Sequence, residues 1–78
     1  MNRYLLHFRV FNSTKVHDVW IKENGSVSLF LEDILKSWNV DDTSYEHFFY
    51  HCENACVVDV NKTWKKNHIL PGDHLILL

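Results

Sequence analysis

The chain has 78 residues, 46% of them hydrophobic and 23% charged, with a formal net charge of -2 when the histidines are neutral. That length supports a single domain with one core, and a chain this short buries only roughly 60% of its unfolded surface, which leaves little core to hollow into a deep active site. With a negative balance and no basic run longer than Lys65-Lys66, nothing matches the footprint that a phosphate backbone needs, so nucleic acid is not an expected partner.

At the amino end the apolar residues are interrupted by His7 and Arg9, too early for the core of a signal peptide. Residues 4–11 alternate Leu6, Phe8 and Val10 against Leu5, His7, Arg9 and Phe11, the period-2 pattern of a strand with one face on the core. Asn12-Ser13-Thr14 supplies turn chemistry. Residues 15–21 then place His17, Val19 and Ile21 on one side and Val16, Asp18 and Trp20 on the other, completing a hairpin. After a break at 22–26, Val27, Phe30, Leu31, Ile34, Leu35 and Trp38 recur at helical spacing, with Ser28, Glu32, Asp33, Lys36 and Ser37 on the opposite face. Ser26 or Ser28 caps this helix, which ends near Trp38 or Asn39, where a polar loop over 39–46 begins.

The aromatic-rich stretch 47–52 reads as a third strand, and Glu53-Asn54-Ala55 turns it into a short fourth strand at 56–58. Residues 61–68 are irregular, with a helical turn expected around Thr63-Trp64. Pro71-Gly72 forms a turn, and residues 73–78 close the chain as a strand with Leu75 and Leu77 on one face and His74, Ile76 and Leu78 on the other. A sheet with one helix must bury the helix stripe against one face, and a last apolar strand most easily inserts centrally beside the first. The expected fold is therefore α+β: one ubiquitin-like β-grasp domain over residues 1–78. It has a mixed sheet of four to five strands, one main helix on one face, and the order ββαβββ.

Four soft metal-ligand types, His47, His51, Cys52 and Cys56, fall within ten residues. Strand alternation sends His51 and Cys52 to opposite faces, and the two-residue spacing of a zinc knuckle is missing, so no metal or cofactor is expected. A Cys52–Cys56 disulfide is sterically conceivable across the turn, but reduced thiols are expected in a cytoplasmic protein. Cys52 and His51 point apart and so form no nucleophile–base pair. Asp41-Asp42 sits in a polar loop as solvated turn residues, and with only Gly25 and Gly72 there is no phosphate-cradling loop. The reading is a protein without catalytic activity.

Surface chemistry remains. With Leu6, Phe8, Val10, Phe49, Leu75 and Leu77 facing the helix, alternation places His7, Arg9, Phe48, Tyr50, His74 and Ile76 on the open face of the sheet. Phe48, Tyr50 and Ile76 would form an apolar patch edged by His and Arg, the composition of a protein-docking surface. A shifted register or a covering loop would bury these aromatics instead. Six histidines would make that face more positive near pH 6 and redirect binding, against the plainer reading of solvated histidines. An apolar face also allows a weak homodimer at high concentration.

The ββαββ order and the tail, Lys62-Thr63-Trp64 followed by Ile69-Leu70-Pro71-Gly72-Asp73-His74-Leu75-Ile76-Leu77-Leu78, resemble the YukD/EsaB family, small ubiquitin-like proteins that accompany WXG100 (type VII, ESX-like) secretion systems of Gram-positive bacteria. The resemblance covers nearly the whole chain. It implies a non-catalytic cytoplasmic accessory or regulatory protein whose partners are secretion-machine components. Such proteins are not inserted in the membrane and lack the terminal Gly-Gly of conjugated modifiers, in agreement with Leu77-Leu78 here. The load of Trp20, Trp38, Trp64 and Phe48-Phe49-Tyr50 departs from the pattern. Two alternatives stand beside this one: a sulfur carrier or modifier whose Gly-Gly tail is missing from the sequence, and a small subunit of a larger enzyme complex.

Overall fold

The computed structural model describes residues 3–38 and 46–78. Asp41-Asp42 and most of the polar loop lie outside the described residues. Five strands and one α-helix follow in the order β1 (Arg3–Val10), β2 (Val16–Lys22), α1 (Val27–Ser37), β3 (Phe49–His51), β4 (Cys56–Val57) and β5 (His74–Leu77), with a 3-10 turn at Lys65–Asn67 before β5. The spatial order is β2-β1-β5-β3-β4, antiparallel except for the parallel β1–β5 pair. This is the β-grasp arrangement, with the last strand inserted centrally beside the first.

Local chemistry accounts for the elements. In the β1–β2 turn Asn12 takes φ 65°, a left-handed conformation that Asn tolerates. Ser26 caps α1, its Oγ accepting from the Leu29 backbone N–H at 3.3 Å, so the first of the two candidate caps is the one used. Gly72 stands at φ 86° in the turn before β5, where a residue without Cβ meets no penalty. Its N–H donates to the Leu5 carbonyl at 2.8 Å, which docks the turn onto β1.

The expected helix stripe is the one that packs. Val27 and Ile34 are buried, and Phe30, Leu31, Leu35 and Trp38 lie against the core formed by Leu6, Phe8, Ile21, Phe49, Leu75 and Leu77. Phe8 is the hub: its ring centroid is 5.1 Å from Phe30, 5.4 Å from Phe49, 5.9 Å from Trp64 and 6.1 Å from Trp38. Tilted and edge-on aromatic pairs of this kind add about 0.5–1.5 kcal/mol each beyond their buried area.

Strands β1, β2, β4 and β5 shift from the sequence reading by one residue at their ends, and two segments differ more. The third strand runs over Phe49–His51 instead of 47–52. Cys52 still donates its N–H to His74 and Phe48 still exchanges backbone bonds with Leu78, but the Phe48 N–H bond is stretched to 3.4 Å, so the ladder frays at both ends. The helical turn lies at Lys65–Asn67, just after Thr63-Trp64. Trp64 is 1% exposed and anchors the segment in the core, while the Thr63 hydroxyl and the Asn67 amide tie the turn at 3.2 and 2.9 Å. Among the described residues, no helix is long and apolar enough to cross a membrane.

Candidate functional site on the open sheet face

Strand register decides which side chains share the uncovered face. Leu6 and Phe8 point to the helix and are fully buried, so Leu5, His7 and Arg9 point away. Pairing carries this parity across the sheet in rows. Arg9 is opposite Val16 on one side and Ile76 on the other, Ile76 is opposite Tyr50, and Tyr50 is opposite Val57. The next row starts at Asp18, passes through His7 to His74, and reaches Cys52, whose N–H donates to the His74 carbonyl at 3.0 Å. All six residues expected on the open face, His7, Arg9, Phe48, Tyr50, His74 and Ile76, have the parity of that face.

Their exposure is uneven. Tyr50 and Ile76 are half-buried, and the most open apolar side chains within the strands of this face are Trp20 at 63%, Val57 at 56% and Val16 at 55%. The apolar weight therefore sits toward the β2 and β4 edges more than on the expected Phe48–Tyr50–Ile76 patch. Alternation alone does not reveal this, because it needs the hairpin register: Trp20 was legible as facing away from Ile21, but its place beside Leu5 follows from the β1–β2 pairing. Between the rows lies a shallow cleft of about 270 Å³ lined by His7, Arg9, Val16, Cys52, His74 and Ile76, with Phe8 and Leu75 at its base.

Electrostatics is concentrated at the His7–His74 pair. The two rings are stacked with centroids 5.0 Å apart and planes 28° apart. His7 Nδ1 is 2.6 Å from Asp18 Oδ1, and His74 Nδ1 is 2.6 Å from Glu53 Oε2. Glu53 also accepts the His74 backbone N–H at 2.8 Å. Partial burial by itself raises the Glu53 carboxyl, but the hydrogen bonds from the His74 ring and backbone, together with the His74 charge, outweigh it and hold the group below its ordinary 4.5. Burial is the main influence that pushes the Cys52 thiol up, the Glu53 carboxylate adds to it, and Arg9 opposes both.

The depressed Glu53 group has a consequence for stability. A carboxyl whose folded pKa lies below its unfolded one contributes stability that is fully present above the unfolded pKa and is lost as the pH falls through the folded value. Between about pH 5.5 and about pH 3 the wild-type melting temperature is therefore expected to fall more than that of Glu53→Gln, which has no carboxyl to protonate. Equal losses in the two proteins, measured by thermal circular dichroism, would show that the His74–Glu53 contact contributes nothing to folding.

On the helix side, His51 is 1% exposed and Asp73 9%. His51 Nε2–H donates to Asp73 Oδ2 at 2.7 Å, and the same oxygen accepts the Leu70 N–H at 2.9 Å. His51 Nε2 also lies 3.8 Å from Glu53 Oε1, so His51, Glu53 and Asp73 form a group of metal-ligand types. His47, His51, Cys52 and Cys56 do not converge on one point: Cys52 belongs to the open face, His51 is in the core, and both cysteines are free. His47 instead places Nδ1 2.9 Å from the Leu78 carbonyl oxygen.

No protein-family model matches the sequence. No curated protein matches it either. Solved structures do match in fold. The ubiquitin-like domain of an Arabidopsis thaliana protein superposes with a TM-score of 0.76 at 11% identity, over 100% of this chain and 78% of that one. The EccD5 ubiquitin-like domain from Mycobacterium xenopi gives 0.75 at 12% identity, over 100% and 94%. A chain of the toluene 4-monooxygenase HD complex with the inhibitor 4-bromobenzoate gives 0.73 at 13% identity, over 97% and 96%. With strand order, helix placement and these superpositions in agreement, the chain has the ubiquitin-like β-grasp fold.

Proposed function

We propose that this chain is a non-catalytic protein-binding module that docks partners on its open sheet face. It would serve as a cytoplasmic accessory or regulatory component of a type VII (WXG100) secretion system and would not be conjugated to targets. The observation that carries the docking role is the continuous row Val16–Arg9–Ile76–Tyr50–Val57 across all five strands, which leaves apolar and cationic side chains uncovered on one face. Aromatic residues and Arg are the types enriched at protein interfaces, and half-buried apolar groups gain most from a partner that removes the remaining water. The secretion context is supported by the resemblance of the tail to the YukD/EsaB pattern, alongside a fold match to the EccD5 domain over nearly its whole length.

A second reading, a small subunit of a larger enzyme complex, is favoured by the match to a chain of the toluene 4-monooxygenase complex over almost the full length of both chains. One experiment separates the two. Affinity capture from the native cytoplasm and membranes compares wild type with Tyr50→Asp plus Ile76→Asp, after circular dichroism has established that the variant folds. WXG100 proteins or their ATPase in the wild-type eluate, lost in the variant, are expected. Recovery of an oxygenase or synthase would favour the subunit reading, and equal recovery by both proteins would remove the open face from the interface.

A further inference from the structure

The row Asp18–His7–His74–Cys52 brings together chemistry that the docking role does not use. His7 and His74 are register partners on adjacent parallel strands, and their side chains stand on the same face of the sheet. Each ring has its Nδ1 on a carboxylate at 2.6 Å, Asp18 on the β2 side and Glu53 from the β3–β4 turn. A carboxylate only accepts, so each Nδ1 carries the hydrogen and each Nε2 keeps a lone pair in the neutral ring. Neither Nε2 has a hydrogen-bond partner among the described residues. A metal-binding histidine characteristically has this form, with one nitrogen donating to a carboxylate that fixes tautomer and orientation while the other is free to ligate.

His51 provides the internal contrast. It too sits beside carboxylates, but its Nε2 is committed to Asp73, and its buried Nδ1 has no partner. That unpartnered nitrogen is enclosed in the core, where an ion from solvent does not reach it, whereas His7 and His74 line the open cleft. The buried group is thus a hydrogen-bonded clamp.

We propose that His7 and His74, held by Asp18 and Glu53, form a site for one borderline divalent transition ion of the zinc class, with the Cys52 thiolate as third protein ligand. Imidazole and thiolate suit such an ion. Cys52 lines the same cleft as both rings. Asp18 and Glu53 offset the ion's charge, and Arg9, on the neighbouring row, opposes it. Ligand atoms around a tetrahedral ion with bonds of about 2.0–2.3 Å stand roughly 3.3–3.7 Å apart. The 5.0 Å between the His7 and His74 ring centroids is a separation of ring centres, which lie farther from a shared ion than the ligating nitrogens do, and small side-chain rotations adjust the Nε2 positions. Forming the metal–sulfur bond breaks the thiol S–H bond and passes its proton to solvent, so affinity rises with pH.

The whole chain is titrated with Zn2+ while its imidazole resonances are followed by NMR, and with Co2+ while absorption is followed. One equivalent is expected to saturate the protein, moving the His7 and His74 signals and leaving His51 in place, and the Co2+ form is expected to show thiolate-to-metal charge transfer that Cys52→Ser abolishes. His7→Ala and His74→Ala should each weaken binding by about a hundredfold or more, and Asp18→Asn by about tenfold to a hundredfold. All three residues are at least partly exposed, and circular dichroism checks that the variants fold. The proposal is overturned by the lack of saturable binding at millimolar Zn2+, by binding that survives the double His7→Ala and His74→Ala variant, or by perturbation of His51 in place of the surface pair. These measurements use the isolated chain, so they succeed or fail independently of any docking partner.

Discussion

Trp64→Ala is expected to remove about 3–5 kcal/mol of stability, a large share of the roughly 4–12 kcal/mol available to a domain of this size. The indole is 1% exposed, and its centroid lies 5.5 Å from Phe30, 5.8 Å from Phe49 and 5.9 Å from Phe8. Helix, sheet and the segment leading to β5 therefore meet on this one ring. Its truncation leaves a cavity that three neighbouring rings cannot jointly fill, because interiors pack at crystal-like density and relax only in part. The backbone around it is also tied: the Lys65 N–H donates to Glu23 at 2.9 Å, and the Ile69 N–H donates to Trp64 at 3.2 Å. Urea unfolding monitored by circular dichroism checks the loss, with Trp20→Ala as the comparison. Trp20 is 63% exposed, and its removal should change stability by less than about 0.5 kcal/mol. Similar midpoints for the two variants would show that Trp64 is not a core anchor.

The second large effect is expected at Asp73. Its Oδ2 accepts both the buried His51 Nε2–H at 2.7 Å and the Leu70 N–H at 2.9 Å, so Asp73→Ala strands two donors at once. Leaving a buried donor unsatisfied costs about 1–3 kcal/mol, and the pair together should lose about 2–4 kcal/mol. Asp73→Asn retains a carbonyl oxygen as acceptor and is expected to lose roughly half as much, since a neutral acceptor binds less strongly than a carboxylate. The order wild type, Asn, Ala in unfolding midpoint is the result to look for. Equal midpoints for Ala and wild type would mean that the clamp between β3 and the β5 turn contributes nothing.

Asp73 also shows how far reading outward from the residues reaches. That Gly72-Asp73 turns the chain into a last strand was legible from turn chemistry, and the structure adds that Gly72 sits at φ 86° and that Asp73 closes the turn onto Leu70. That the same carboxylate reaches a buried histidine 22 positions earlier was not legible. Hydrophobic periodicity records which way a side chain faces, not which distant polar group it meets. His51 carried a misleading signal for the same reason: its neighbours Cys52 and Cys56 suggested soft ligands, whereas its partner is an acid from the turn before β5.

The candidate site divides in the same way. Alternation was enough to place His7, Arg9, Phe48, Tyr50, His74 and Ile76 on one face, because a strand has period two and the buried set Leu6, Phe8, Leu75 and Leu77 fixes the phase. Asp18, Glu53 and Cys52 joined the face only through register. His7 stands opposite both Asp18 and His74, Cys52 bonds to the His74 carbonyl, and the β3–β4 turn carries Glu53 back to the His74 ring.

The sequence by itself determined the element order, the helix stripe, the inward and outward faces of the strands and hence the β-grasp fold, since each rests on spacing within a few residues. Only the tertiary structure decided that Trp64 is a buried anchor of the core, that His51 is clamped by Asp73, and that two histidines 67 positions apart in the chain, His7 and His74, stack with a carboxylate behind each. Those facts depend on strand pairing between distant segments, where a shift of one residue would exchange every side chain between the core and the open face.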